Sequence, residues 1–156
     1  MDKQAILQLV LAQLEKDLEV ARGASQAAYE AATHEENKAE DQYDTRGIEA
    51  SYLASAQAQR VSELEKSISS LKNLNLRGGS TIKPGALVEL EQEGRELFVF
   101  FLPFGAGLNI SYQGKSISVV TPASPLGQEL LDRQEGDNFR LTAKGSAKEY
   151  DIVKVF

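Results

Sequence analysis

Ten residues of this chain, Glu35 to Asp44, read EENKAEDQYD and place five carboxylates (Glu35, Glu36, Glu40, Asp41 and Asp44) beside a single base, Lys38. The window has a net charge of −4, whereas the rest of the first 77 residues holds eight acids and eight bases. The excess negative charge of that half is therefore concentrated in one short stretch. Carboxylates are hard oxygen donors suited to Mg²⁺, which commonly takes one or two of them and completes its octahedron with water and phosphate oxygens. Two or three such groups at an exposed end hold Mg²⁺ weakly by themselves. They can instead complete a site half-built in a partner, where two metals clamp an in-line phosphoryl displacement. Glu36, Glu40 and Asp41 are the candidate ligands for such a shared ion. Asp41 and Asp44 are i, i+3 neighbours and share a face; Glu36 converges with them if the chain reverses in between. A plainer reading stands beside this one. Acids near a helix N-terminus stabilise the dipole by about 0.3–1 kcal/mol each, and Glu40, Asp41 and Asp44 fall near the start of a second helix. His34 is the only histidine, and with no cysteine in the chain it reads as a polar helix end rather than a ligand.

The elements that must carry this window are helical. The first 77 residues are rich in Ala, Gln, Leu, Glu and Ser, with only Gly23 and Gly47 as poor helix formers, whereas all four prolines and ten of twelve glycines lie from Gly78 onward. Breakers gathered on one side of Gly78-Gly79 predict a boundary there, with a hairpin over 1–77 and a second domain over 78–156. Leu7, Leu11, Leu14, Leu18, Ala21, Ser25, Ala28 and Ala32 keep a 4-3-4-3 spacing, and Ala50, Ala54, Gln57, Val61, Leu64, Ile68 and Leu71 form a second stripe. Each keeps one seam toward a partner helix. Large residues lie at the outer ends of both stripes and small ones at the inner ends. An antiparallel fold-back then matches Leu7 with Leu71, Leu14 with Leu64 and Ala28 with Ala50, with the turn near residue 39. Each arm of about 30 residues would reach about 45 Å. A rod that thins toward its turn suits insertion into a channel; a hairpin that only dimerises or scaffolds is the competing reading.

After Ile82 the period changes to that of strands. Leu87 to Leu90 precedes a turn at Glu93-Gly94, and Leu97 to Leu102 (LFVFFL) reads as a strand buried on both faces. Asn109 to Tyr112 and Lys115 to Val120 flank a hairpin turn at Gln113-Gly114. Ser124 is an N-cap candidate with Pro125 at the first helical position, opening a short helix to about Asp132. Two strands, Asn138–Thr142 and Tyr150–Phe156, close the chain. The expected fold is α+β: a two-helix coiled-coil hairpin plus a small antiparallel sheet with one helix against it. No catalytic constellation appears in this half, which has no histidine or cysteine and whose serines lack a base. Gly105 and Gly107 read as a turn.

Composition narrows the partner. A net charge of −6 argues against general affinity for nucleic-acid backbones. No apolar run approaches the roughly 20 residues of a membrane span, and the N-terminus does not resemble a signal peptide. The absence of cysteine fits a reducing cytoplasm. A protein or a cation is the expected partner.

The stretch Ser124-Pro125-Leu126-Gly127-Gln128-Glu129-Leu130-Leu131, followed by Gly136-Asp137 and Tyr150-Asp151-Ile152-Val153, resembles the C-terminal signature of the bacterial GreA/GreB transcript cleavage factors. Asn37 to Tyr43 is similar to that family's segment at the coiled-coil tip. The resemblance implies an FKBP-like C-terminal domain docked at the rim of the RNA polymerase secondary channel, with Ser124, Pro125, Leu126 and Gly127 as docking candidates. It implies that the hairpin enters the channel and that Glu36, Glu40, Asp41 and Asp44 assist the polymerase in holding its second Mg²⁺ during cleavage of backtracked RNA. Such a factor is a cytoplasmic monomer with no tightly bound cofactor and is not itself the enzyme. A prolyl isomerase is suggested only by the FKBP-like expectation, and the chain lacks the tryptophan of such pockets.

The tip departs from the family pattern. The family carries an acid pair three residues apart; here Glu36 matches the first and Ala39 falls on the second, with Glu40 one residue later. Either Glu40 or Asp41 is presented instead, or the protein occupies the channel without stimulating cleavage. Asp41-x-x-Asp44 is also similar to the tip of DksA-type channel regulators. The apolar segment Leu102 to Leu108 is a second departure.

Overall fold

The computed structural model describes residues 1–34, 45–76, 78–143 and 145–156. Two long helices, α1 (Lys3–Thr33) and α2 (Arg46–Lys72), form the antiparallel hairpin. They are followed by β1 (Ala86–Gln92), β2 (Arg95–Phe101), β3 (Asn109–Tyr112), β4 (Lys115–Val120), the short helix α3 (Pro125–Leu130), β5 (Asn138–Ala143) and β6 (Ser146–Val155). The chain divides into two compact units, Ala12–Ser69 and Met1–Leu11 with Ser70–Phe156. The ends of the hairpin thus belong to the same unit as the sheet.

Within Ala12–Ser69 the seams behave as their spacing predicts. Leu14, Leu18, Ala21 and Ala28 are buried, Ser25 and Ala32 half-buried, and the residues beside them, half-buried Asp17 apart, face solvent. On α2, Ala50, Ala54, Gln57, Val61 and Leu64 are half-buried and Ile68 is buried. Arg22 spans the two helices, donating from Nη2 to Glu65 Oε1 at 2.9 Å and from Nη1 to Glu19 Oε1 at 3.0 Å. Hydrogen bonding to Glu65, then to Glu19, raises the Arg22 pKa further above its ordinary value. Glu65 lies nine positions from the residue that the expected register sets opposite Arg22. Two long side chains that lean toward their own helix N-termini shorten that gap.

The other unit is a six-stranded sheet in the order β3-β4-β2-β1-β6-β5. Two of its hairpins turn as expected at Glu93-Gly94 and Gln113-Gly114, where positive φ at both central residues (51° and 76°, 50° and 76°) matches the right-handed strand twist. The sheet is not wholly antiparallel: β2 and β4 pair in parallel, from Phe98↔Ile117 to Phe101↔Val120. Such a pair needs a crossover, which the apolar segment Leu102 to Leu108 and edge strand β3 supply. The final hairpin is longer than expected, because Ala143↔Ser146 pair and β6 starts four residues before Tyr150. Gly145, at φ 78°, permits the tight turn that lengthens it. α3 ends at Leu130, two residues short of expectation, where Asp132 takes a positive φ of 64°.

Alternation along the strands gives the sheet two buried faces. Val88, Leu90, Val99, Phe101, Tyr150 and Ile152 form one core with Leu130 of α3. The register sets Leu87 opposite Phe100 and Phe100 opposite Val119 on the other face, which explains why Val99 through Leu102 are all buried. The base of α1 meets that second face: a Cβ on Gly105 would stand 3.5 Å from Val119 Cγ1 and 3.7 Å from Val10 Cγ1. Ile6, Val10 and Leu71 are fully buried in this unit, and Lys3 Nζ donates to the Phe156 carbonyl at 2.8 Å. Burial lowers the Lys3 pKa. We expect Leu71→Ala to cost about 2–5 kcal/mol in denaturant unfolding, and Val20→Ala, at a position 75% exposed, to change stability by less than about 0.5 kcal/mol.

Candidate functional site

The hairpin end is prepared from both sides. Asp2 opens α1 as an N-cap, its Oδ1 accepting from the amides of Gln4 at 2.9 Å and Ala5 at 3.1 Å. At the far end, Thr33 Oγ1 donates back to the carbonyls of Tyr29 at 3.0 Å and Glu30 at 3.3 Å, satisfying acceptors that the last turn would leave open. α2 starts after Thr45, whose carbonyl accepts from the Glu49 amide at 2.9 Å and whose hydroxyl donates to Glu49 Oε1 at 3.2 Å. Glu49 is the acid in the first turn of α2, where a negative charge stabilises the helix dipole. The candidate tip residues Glu36, Glu40, Asp41 and Asp44 lie outside the described residues, between these two finished helix ends. Among the described residues, no group of three or more His, Cys, Asp or Glu converges to hold a metal ion, and no described helix is long and apolar enough to cross a membrane.

The second candidate group, Ser124 to Gly127, is a tightly built helix start. Ser124 has extended backbone angles (φ −79°, ψ 153°); its Oγ accepts from the Gly127 amide at 3.0 Å and donates to the Thr121 carbonyl at 2.8 Å. Pro125 takes the first helical position. Gly127 is obligatory for a packing reason, since a Cβ there would stand 1.9 Å from the Thr121 carbonyl oxygen. Leu126 alone of the four packs sideways, half-buried against the sheet core. Two shallow depressions border it. One, of about 410 Å³, runs past Gly107, Leu108, Pro125 and Leu141. The other, of about 370 Å³, is lined by Leu97, Val99, Ser118 and Tyr150 and rimmed by Lys115. Lys115 Nζ sits 4.0 Å from the Phe98 ring centroid and 3.1 Å from Glu96 Oε2. Ser124 and Gly127 therefore hold α3 against the sheet, and the accessible part of the motif is exposed Pro125 and half-buried Leu126 with the flanking hollows.

Sequence reasoning did not single out Ile48 and Tyr52, large apolar side chains that α2 leaves 58% and 74% exposed. Their i, i+4 spacing, off the seam, was the available signal.

No family model matches the chain. Among curated relatives, the transcription elongation factor GreA of Bartonella henselae is 31% identical over 113 residues, covering 68% of this chain and 69% of that protein. GreA of Neisseria meningitidis serogroup B is 31% identical over 99 residues, 62% of this chain and 60% of that one. Of solved structures, the GreA factor homolog 1 (Gfh1) protein of Thermus thermophilus overlays at a TM-score of 0.39 with 26% identity and 94% of both chains covered. The GreA/GreB factor from Nitrosomonas europaea gives 0.37 with 14% identity over 69% of this chain and 91% of that one.

In the C-terminal signature we expect Ser124→Ala to cost about 1 kcal/mol, the usual value of an N-cap. Gly127→Ala should cost more, about 1–3 kcal/mol as overpacking against backbone. Urea unfolding of the two variants checks the order.

Proposed function

The chain belongs to the GreA family of transcription elongation factors, and on that premise we propose that it binds RNA polymerase and inserts the acidic end of its hairpin into the enzyme's secondary channel. The observation that carries this reading is the 31% identity to a GreA protein across 113 residues. In support, the net −4 window falls at the connection between two long helices, where an inserted rod ends. The division proposed is a hairpin arm over residues 1–77 and a docking domain over 78–156. In the docking domain, Pro125, Leu126 and their neighbouring hollows form the contact, with Ser124 and Gly127 fixing the backbone beneath. The protein acts as a cytoplasmic monomer and reads no nucleic-acid sequence of its own.

As a factor of this family it is not an enzyme; the phosphoryl chemistry belongs to the polymerase. Glu36, Glu40 and Asp41 supply hard oxygen donors of the kind Mg²⁺ takes, and Asp44 adds charge beside them. A Mg²⁺ shared with the polymerase active site would polarise the scissile phosphate and lower the pKa of an attacking water. The part played by this chain is to deliver carboxylates to that ion and to exclude bulk water from the channel. A second reading, occupancy of the channel without stimulated cleavage, is favoured by one observation: Ala39 stands where the family's second tip acid falls.

Adding the protein to stalled, backtracked elongation complexes separates these readings. Short 3′ RNA fragments are expected if cleavage is stimulated, and single Ala replacements of Glu36, Glu40, Asp41 or Asp44 should then reduce the rate about tenfold or more (about 1.4 kcal/mol). Melting temperatures should stay near that of the parent, because exposed charges contribute little to folding. Slowed elongation with no fragments selects the second reading. Loss of folding in the variants would make the acids structural, and failure to bind polymerase would remove both readings.

A further inference from the structure

α2 carries a second apolar face near its first turn, on the side away from its partner helix. Ala50, Ala54 and Gln57 on the seam are half-buried, while Ile48 and Tyr52 are 58% and 74% exposed. At about 100° per residue, Ile48, Ser51, Tyr52 and Ser55 centre roughly 140° around the helix from the seam. Together with Gly47 they line one shallow groove of about 340 Å³ that contains no charged residue. This reverses the usual burial, since alanines occupy the seam while an isoleucine and a tyrosine stand in water. Scattered exposed apolar residues need no explanation, but two large ones a helical turn apart, framing a groove, form a surface.

The position of the groove limits what covers it. Ile48 is the third residue of α2, and the acidic window ends two residues before that helix begins. A helix with its side chains is about 10–12 Å across, so a protein that surrounds the window also meets this flank. A second copy laid alongside in parallel would bring two net −4 windows together within a Debye length of about 8 Å at physiological salt. An uncharged groove beside a concentrated negative charge fits a partner that pairs an apolar strip with a cationic or metal-bearing recess.

We propose that Ile48 and Tyr52 are a contact surface for an apolar strip on the wall of the RNA polymerase channel, separate from both the tip carboxylates and the C-terminal docking motif. The inference rests on the function proposed above. Its role is affinity and seating depth: the apolar face grips the wall, and the carboxylates act at the end. Among the described residues of Ala12–Ser69, none covers this surface, and both side chains stand exposed.

The test measures binding of the fluorescently labelled full-length chain to core RNA polymerase by anisotropy. The Ile48→Ser/Tyr52→Ser double variant should bind about tenfold or more weakly, in the range of a central interface contact. Val20→Ser, equally exposed on α1, should bind as the parent does, and all three proteins should share one melting temperature. Binding of the double variant at parental affinity overturns the inference while leaving the proposed function intact. A parent that sediments as a dimer and a double variant that sediments as a monomer also overturns it, by making a second copy the occupant. A parent that does not bind polymerase overturns both.

Discussion

Two helices packed only on each other can bury one stripe apiece, and this limit governs the rest of the molecule. Near the base the stripe is made of leucines: Leu7, Leu11, Leu14 and Leu18 are buried on α1, and Ile68 and Leu71 on α2. Further along it falls to Ala21, Ala28, Ala50 and Ala54. Apolar area removed from water scales the stabilisation at roughly 25 cal/mol per Å², so the alanine half is held more weakly than the leucine half. The hairpin is held most strongly along its leucine-lined half.

That grading explains how the remaining elements are spent. The ends of the hairpin join the sheet unit, and Ile6, Val10 and Leu71 find there a burial that a free two-helix rod cannot give them. The sheet must then be apolar on both faces, and β2, with Val99 to Phe101 buried throughout, is the strand that serves both. α3 covers the face that Val88, Val99 and Phe101 share with Leu130, opposite the one that the base of α1 meets, and is kept close by Gly127, at which no side chain fits under the Thr121 carbonyl. At the other end, Thr33 and Thr45 close the helix termini by side-chain hydrogen bonds, so the connection is framed by two completed helices.

Much of this was legible in the residues. Heptad spacing identified the seam residues that are buried, Leu7, Leu11, Leu14, Leu18, Ala21, Ala28, Ile68 and Leu71, because burial on a two-helix seam follows periodicity, whereas Ile6 and Val10, buried in the sheet unit, lie off the stripe. The Ser124-Pro125 start and the turns at Glu93-Gly94 and Gln113-Gly114 were legible because capping and positive φ are local properties. The parallel pairing of β2 with β4 was not, since it depends on where a crossover sends the chain and no local signal encodes that. Nor was the start of β6 at Ser146, where Lys148 and Glu149 gave no apolar alternation to read. Of the candidate site, the proposed tip carboxylates rest on charge counting and the proposed docking motif on resemblance. The groove of Ile48 and Tyr52 was not legible, because seam periodicity carries no information about the opposite face of the helix.

The account turns on where the end of the hairpin goes when polymerase is present. A structure of the full-length chain bound to a backtracked elongation complex in Mg²⁺ measures that directly. The account predicts the hairpin within the secondary channel, with a carboxylate oxygen of Glu36, Glu40 or Asp41 within coordination distance, about 2.0–2.1 Å, of an active-site Mg²⁺. A complex in which the sheet domain is bound while residues 35–44 lie outside the channel would contradict it.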